Sequence, residues 1–574
     1  MTRADPRPHW IVLGRDDGDT LWASLDATGA TIATDRVRSA DLIARIAHEE
    51  SLGSVRWVWS DTPAWYPSLL AAGVRIARCH DLRLCHAILR DSELVSAGHP
   101  VRAARAWDAA GVDGTDAAPA LFDLPSGADA LPADLDSALA EFARQRDALD
   151  TSSDPGRLRL LTAAESAGAL IASELRAAGL PWNAVEHDRI LTGMLGERPA
   201  HGGLPAAIVA KATEVRDALG DPQASLDSQP KLLRALHRVG VNVESTSRWE
   251  LRRHEHPVVV PLIEYKRMMR LLTANGWSWL AEWVDDDRFR PVYVPAGGVT
   301  GRWASSGGGA LQIPRQLRAA VRADPGWKLI VADVAQLEPR VLAAMSSDTA
   351  LADAARGADL YGAIAERGKL EGREKAKLAL LGAMYGATSG ESGRLVPQLR
   401  RTYPRAMKLV DDAARTGEDG GVVSTWLGRT SPPPSRAWRD VQSDATDDAA
   451  SAADTDLARR VGRDRGRFTR NFVVQGTAAE WALAWMAELR NRLAAMPAVE
   501  PERAARASGP VFARQAHLAF YLHDEVVVHA PAEHADAAAD AIVEAAASAG
   551  RLLFGGFPVD FRLDVHITDS AEKA

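Results

Sequence analysis

Two apolar runs that each deliver a carboxylate constrain this chain most. In KLIVADV, residues 328–334, Leu329, Ile330 and Val331 form a strand pattern that ends on Asp333. In HLAFYLHDEVVVHAP, residues 517–531, two apolar runs are joined by His523, Asp524 and Glu525, the pattern of a tight hairpin. Taken singly, such an acid is as readily a helix cap or a turn former. Taken together, the pair predicts neighbouring strands of one sheet on which Asp333 and Asp524 meet. Two carboxylates so placed can hold two divalent cations about 3.5–4 Å apart, an arrangement suited to phosphoryl or nucleotidyl transfer.

The rest of the chain suggests a multidomain α/β protein. Its 574 residues correspond to roughly three to four structural units. Residues 8–90 mix short strands with helices. Residues 100–155 are Ala- and Asp-rich and read as a linker or peripheral helices, and 156–290 show helical periodicity. After 290, strands alternate with long helices. DVQSDATDDAASAADTD, residues 440–456, carries six Asp and no cation and reads as a solvated insertion loop. Cys79 and Cys85 read as reduced thiols, since two cysteines this close make neither a disulfide framework nor a good zinc site. No run reaches about 18 apolar residues, and the N-terminus lacks a signal-peptide core. A soluble, cytoplasmic protein with no membrane partner is expected.

The net charge of −8 argues against a simple nucleic-acid coat, yet 59 of the 68 cations are Arg, the planar fork suited to phosphate. The charge is segregated. Residues 359–408 hold ten Lys/Arg against five Asp/Glu, and 457–470 hold six Arg against one Asp. In GREKAKLALLGAMYGATSG, residues 372–390, Arg373, Lys377, Leu381 and Tyr385 recur every four residues and share one helical face. That face is either a solvated basic edge beside core residues or a grip for a triphosphate and its base. In GRFTRNFVVQGTAAEWALAW, residues 466–485, Arg467, Asn471 and Gln475 have the same spacing, and neutral amides beside Arg suit the acceptors of the DNA minor groove. TGRWASSGGGALQIP, residues 300–314, adds a Gly-rich loop with Arg302 and Gln312.

In their order, TGRWASSGGGALQIP, DVAQLEPR, REKAKLALLGAMYG, RFTRNFVVQGTAA and LHDE resemble the family A, bacterial polymerase I type, DNA polymerases over residues 160–574. The resemblance implies an exonuclease-like α/β N-terminal domain followed by a right-hand polymerase with helical thumb, antiparallel palm sheet and helical fingers. The corresponding spans are 1–180 for the N-terminal domain, 181–290 for the thumb and 291–574 for palm and fingers, with fingers at about 350–465. It implies that Asp333 and Asp524 bind two Mg²⁺ ions, with Mn²⁺ able to substitute, and that Glu525 is an auxiliary acid. Glu338 resembles the steric gate against a ribose 2′-hydroxyl. Arg373 and Lys377 would hold the incoming deoxynucleoside triphosphate, and Tyr385 would guard the template position. Arg302, Gln312, Arg467, Asn471, Gln475 and His523 would meet primer-template DNA. A monomer acting in repair or replication is implied.

Several positions depart from the family pattern. Leu381 stands where an aromatic is usual against the incoming sugar, and Tyr361 replaces a phosphate-binding His. Val334, Ala335 and Pro339 alter the segment after the first carboxylate. The first N-terminal strand lacks an Asp-x-Glu, and Ser166 occupies the position of the last nuclease Asp, so a degenerate, non-proofreading domain is expected. No flap-nuclease domain is expected. The rivals are a catalytically silent primer-template scaffold and a polymerase with residual 3′–5′ exonuclease activity.

Overall fold

In the computed structural model the described residues are 7–53, 55–108, 131–357, 359–386, 390–447 and 450–572. They form two compact units. One comprises residues 1–178, 292–306 and 326–567, the other 179–291, 307–325 and 568–574.

The first unit begins with β1 (Trp10–Asp16), β2 (Asp19–Leu25), β3 (Thr31–Val37), α1 (Ser39–Leu52), β4 (Arg56–Trp59), α2 (Thr62–Ala71), β5 (Cys79–Asp81) and α3 (Leu82–Asp91). The sheet order is β3-β2-β1-β4-β5. β1, β4 and β5 run parallel, and β2 pairs antiparallel with both β1 and β3. Alternation along the strands fills both faces, because successive side chains point to opposite sides. Ile11, Leu13, Trp57 and Trp59 pack beneath α1 and α2. Val12 and Val58 face Leu82 and Phe142.

α4 (Leu135–Thr151) and α5 (Pro155–Ala178) follow. α4 corrects the linker expectation, since it buries Ala138 and Phe142 as part of the core. A Cβ on Gly14 would overlap the backbone of Leu135, so only glycine lets α4 start that close to β1. Residues 109–130, part of the expected linker, lie outside the described residues.

The same unit continues with β6 (Trp327–Val334), α6 (Leu337–Ser346), α7 (Leu360–Arg367), α8 (Arg373–Tyr385), α9 (Pro404–Glu418), α10 (Arg436–Asp444), α11 (Ala452–Ala494), β7 (His517–Leu522), β8 (Glu525–Pro531), α12 (Ala535–Phe554) and β9 (Leu563–Thr568). The second sheet has the order β7-β8-β6-β9. Leu329 to Ala332 are all buried, which is why β6 reads as a continuous apolar run rather than an alternating one.

The acidic stretch 440–456 is not a loop throughout. Its first residues end α10, and Ser451 and Asp454 form a capping box that starts α11. Asp fits that place because a carboxylate three residues into a helix accepts from the open N-cap amide and favours the dipole. Residues 448 and 449 lie outside the described residues.

The second unit is mainly helical, from Ala184–Leu195 to Trp277–Trp283, with a small sheet of Leu180–Pro181, Arg288–Phe289 and Val284–Asp285. Trp182, His187, Trp279 and Phe289 form its aromatic cluster. Among the described residues no helix is long and apolar enough to cross a membrane.

Candidate active site

β6 and β8 pair antiparallel with Asp333 opposite Glu525. β7 pairs β8 with Leu522 opposite Glu525, which leaves His523 and Asp524 as the hairpin turn. His523 adopts φ 56°, a left-handed conformation rare outside glycine. The Asp524 N–H donates to the Leu522 carbonyl at 2.7 Å, and the Val334 N–H donates to the Asp524 carbonyl at 2.9 Å. The backbone thus ties the turn to the end of β6. Burial, then the negative charge of Asp333, pushes the Asp524 carboxyl up to about 6. Two mutually repelling carboxylates offer a hard oxygen donor set that a divalent cation would neutralise. A cation held by two such carboxylates would take its remaining ligands from substrate oxygens and water, as Mg²⁺ does.

Beside the turn lies a cleft of about 210 Å³ lined by Arg302, Glu338, Tyr361, Leu381, Tyr385, His523 and Asp524. Of the residues singled out in the sequence, these seven and Pro339 come together. Glu338 is held from two sides, by the Arg302 guanidinium and by the Tyr385 hydroxyl, both donating to its carboxylate. Gln475 also hydrogen-bonds the Tyr385 phenol, whose pKa is raised by burial and by Glu338. Burial and the Arg302 charge hold the His523 imidazole below its ordinary value, so it is neutral at neutral pH.

α8 carries Arg373, Lys377, Leu381 and Tyr385 on one face, as the spacing of four demands. Arg373 pairs with Asp359 at 3.1 Å, and its guanidinium lies 5.6 Å from the Tyr361 ring centre. Lys377 is exposed. Gly386, at φ +72°, ends the helix, and a Cβ there would lie 2.7 Å from Arg467 Cγ. Residues 387–389, the end of the quoted segment, lie outside the described residues.

α11 carries Arg467, Asn471 and Gln475. Arg467 is exposed and pairs with Asp464. Asn471 Oδ1 is buried with no hydrogen-bond partner among the described residues. A Cβ on Gly476 would overlap Thr425 and come within 3.1 Å of the Thr300 carbonyl. Glycine there lets α11 run against the loop that bears Arg302. Gln312 belongs to the second unit, where it ends a short 3-10 turn and is exposed.

The sequence reading missed Gln336, Tyr521, Ala478 and Ala479, which also line the cleft. Gln336 sits at φ 52°, and its Oε1 is buried without a partner among the described residues. A polar residue at the junction of strand and helix was the available signal. The alanines and Tyr521 carry none, since they look like ordinary core.

In the N-terminal sheet, the Ser166 hydroxyl donates to the Thr162 carbonyl at 2.8 Å and accepts from the Asp81 N–H at 3.1 Å. Cys85 Sγ lies 3.4 Å from it. The Asp81 carboxylate is taken up by Thr62 and by the Leu84 N–H.

The family model described as DNA polymerase family A matches residues 225–570. The chain is 27% identical over 340 residues to DNA polymerase I of Chloroflexus aurantiacus, covering 54% of this chain and 32% of that protein. It is 24% identical over 361 residues to the thermostable DNA polymerase I of Thermus aquaticus, covering 58% and 38%. It therefore spans about a third of the length of these relatives. Its fold is similar to the POL domain of Pol1 from M. smegmatis, a structure in complex with DNA primer-template and dNTP. That match has a TM-score of 0.67 at 16% identity and covers 98% of this chain and 95% of that one. With more than half of the residues matched by the family model, the chain belongs to DNA polymerase family A.

Proposed function

We propose that the protein adds deoxynucleotides to a primer 3′ end under the direction of a template, without proofreading, as a monomer in the cytoplasm in DNA repair or replication. The end of β6 at Asp333, tied by the Val334 N–H to the β7–β8 turn that bears Asp524, beside a cleft that the α8 face also lines, carries this reading. Two Mg²⁺ ions bound by these carboxylates would supply Lewis-acid activation of the primer hydroxyl and stabilisation of the leaving pyrophosphate. At pH 7 the Asp524 carboxyl, raised to about 6, is mostly ionised.

Arg373 and Lys377 bind the triphosphate by charge-assisted hydrogen bonds. Glu338, fixed by Arg302 and Tyr385, fills the space that a 2′-hydroxyl would need. Tyr385 moves aside when the template base enters, releasing its bond to Glu338. Asn471 and Gln475 offer amide groups to the minor groove at the primer terminus, and their N–H groups suit its acceptors. Leu381 gives the sugar a smaller apolar contact than a ring would. The absence of proofreading is supported by Ser166 and Asp81, whose bonding capacity goes to the protein itself.

Primer extension with Mg²⁺ and four deoxynucleotides tests the reading. The wild type should extend a labelled primer and Asp333→Ala should not. Duplex binding without extension by the wild type would favour the silent scaffold.

A further inference from the structure

Two buried acids of α5, Glu165 and Glu174, enter polar clusters that reach α11. Glu174 accepts from the Tyr66 hydroxyl at 2.6 Å and from Arg75 at 3.0 and 3.2 Å. It also accepts from Arg490 of α11 at 2.6 Å. Arg490 is 4% exposed and donates further to the Ala77 carbonyl at 2.9 Å and to the Ile76 carbonyl. One guanidinium on α11 is thus bonded to α5 and to the backbone leading into β5. Nine residues earlier on α5, the Arg429 guanidinium donates to Glu165. Arg429 lies on the turn whose Thr425 hydroxyl and Leu427 N–H donate to Glu480 of α11. Between these points Gly168 lets Trp303 and Leu483 approach the α5 backbone.

We propose that the N-terminal α/β layer serves as the backing that positions α11, with Glu174, Arg490 and Arg75 as positioning residues for the primer-terminus face of that helix. The proposal rests on the polymerase reading for its readout. It gives the N-terminal layer a role that needs no metal ligand. Arg490 and Gln475 lie on one continuous helix, so the setting of its buried half is transmitted to the half that bears Arg467, Asn471 and Gln475. The bonding is also directional. A planar fork accepted by one carboxylate and two carbonyls specifies rotation and translation of α11, which apolar packing alone would leave adjustable.

The test uses the full chain with Arg490→Met, Arg75→Ala and the shape-conserving Glu174→Gln beside Glu174→Ala. Melting temperature, primer-template Kd well below melting, and correct incorporation at saturating DNA are measured together. Arg490→Met should weaken primer-template binding by roughly fivefold or more. Arg75→Ala should shift it less in the same direction, and Glu174→Gln should recover part of what Glu174→Ala loses. Incorporation at saturating DNA should fall less than affinity does. Folded variants that melt earlier but bind DNA as the wild type does would overturn the proposal, since that is all a purely structural pair would do. Should Arg490→Met fail to fold, Arg75→Ala on the partly exposed rim decides by the same criterion. Wild-type extension with unaffected variants removes only the positioning role, whereas a wild type that neither binds nor extends DNA removes the functional reading as well.

Discussion

Glu338 shows how a side chain acquires a role from its neighbours. It opens α6 beside the cleft, and Arg302 and Tyr385 fix its carboxylate from opposite sides. With Arg302 still holding the carboxylate once Tyr385 is displaced, as proposed, Glu338→Ala should raise ribonucleotide incorporation relative to deoxynucleotide by about tenfold or more. Competitive single-nucleotide insertion checks this, and an unchanged ratio would remove the gate role. Asp524 occupies the turn, where burial and then the charge of Asp333 lift its pKa.

At the scale of elements, α11 ties the site together. It starts at a capping box, passes the Arg302 loop at Gly476 and buries Glu480 four residues on. Burial pushes the Glu480 carboxyl up to about 7 against the opposing effects of Thr425, the Leu427 N–H and Arg429, with Glu165 adding to the rise. A carboxyl raised above its ordinary value of 4.5 contributes stability that is full below that pH and lost as pH rises through the folded value. Wild-type stability should therefore decline from pH 4.5 to 7 by up to the order of 3 kcal/mol from this group. Glu480→Gln should flatten the slope, as thermal melts across that range would show, and parallel slopes would contradict the assignment.

Much of this was legible in the sequence. The faces of α8 and α11 follow from a spacing of four, and the two carboxylate strands from their apolar runs. Gln336 showed in the sequence only as a polar residue at the strand–helix junction, because its left-handed backbone and buried Oε1 arise where β6 turns into α6. α4 was hidden by an Ala- and Asp-rich composition that resembles a linker, although it buries Phe142. In the acidic stretch, charge density suggested a loop, while the capping geometry of Ser451 and Asp454 makes part of it a helix start.

For the whole molecule, the net charge of −8 conceals a division of labour. Arg460, Arg463, Arg467 and Arg470 of α11 line one pocket of about 390 Å³, and Arg373 and Lys377 share a face of α8. Binding to primer-template should therefore weaken steeply with salt despite the acidic total, because released counterions scale with phosphate contacts. The N-terminal layer should not trim DNA. A 3′-labelled single strand incubated with Mg²⁺ should keep its end, and trimming abolished by an N-terminal substitution would overturn that reading. The central claim is that Asp333 and Asp524 form one catalytic pair. Single-turnover insertion of one correct deoxynucleotide, with DNA binding measured in the same samples, tests it most directly. The account predicts that Asp333→Ala and Asp524→Ala each keep DNA affinity and lose at least about 100-fold in insertion rate. Insertion at the wild-type rate by either variant would contradict it.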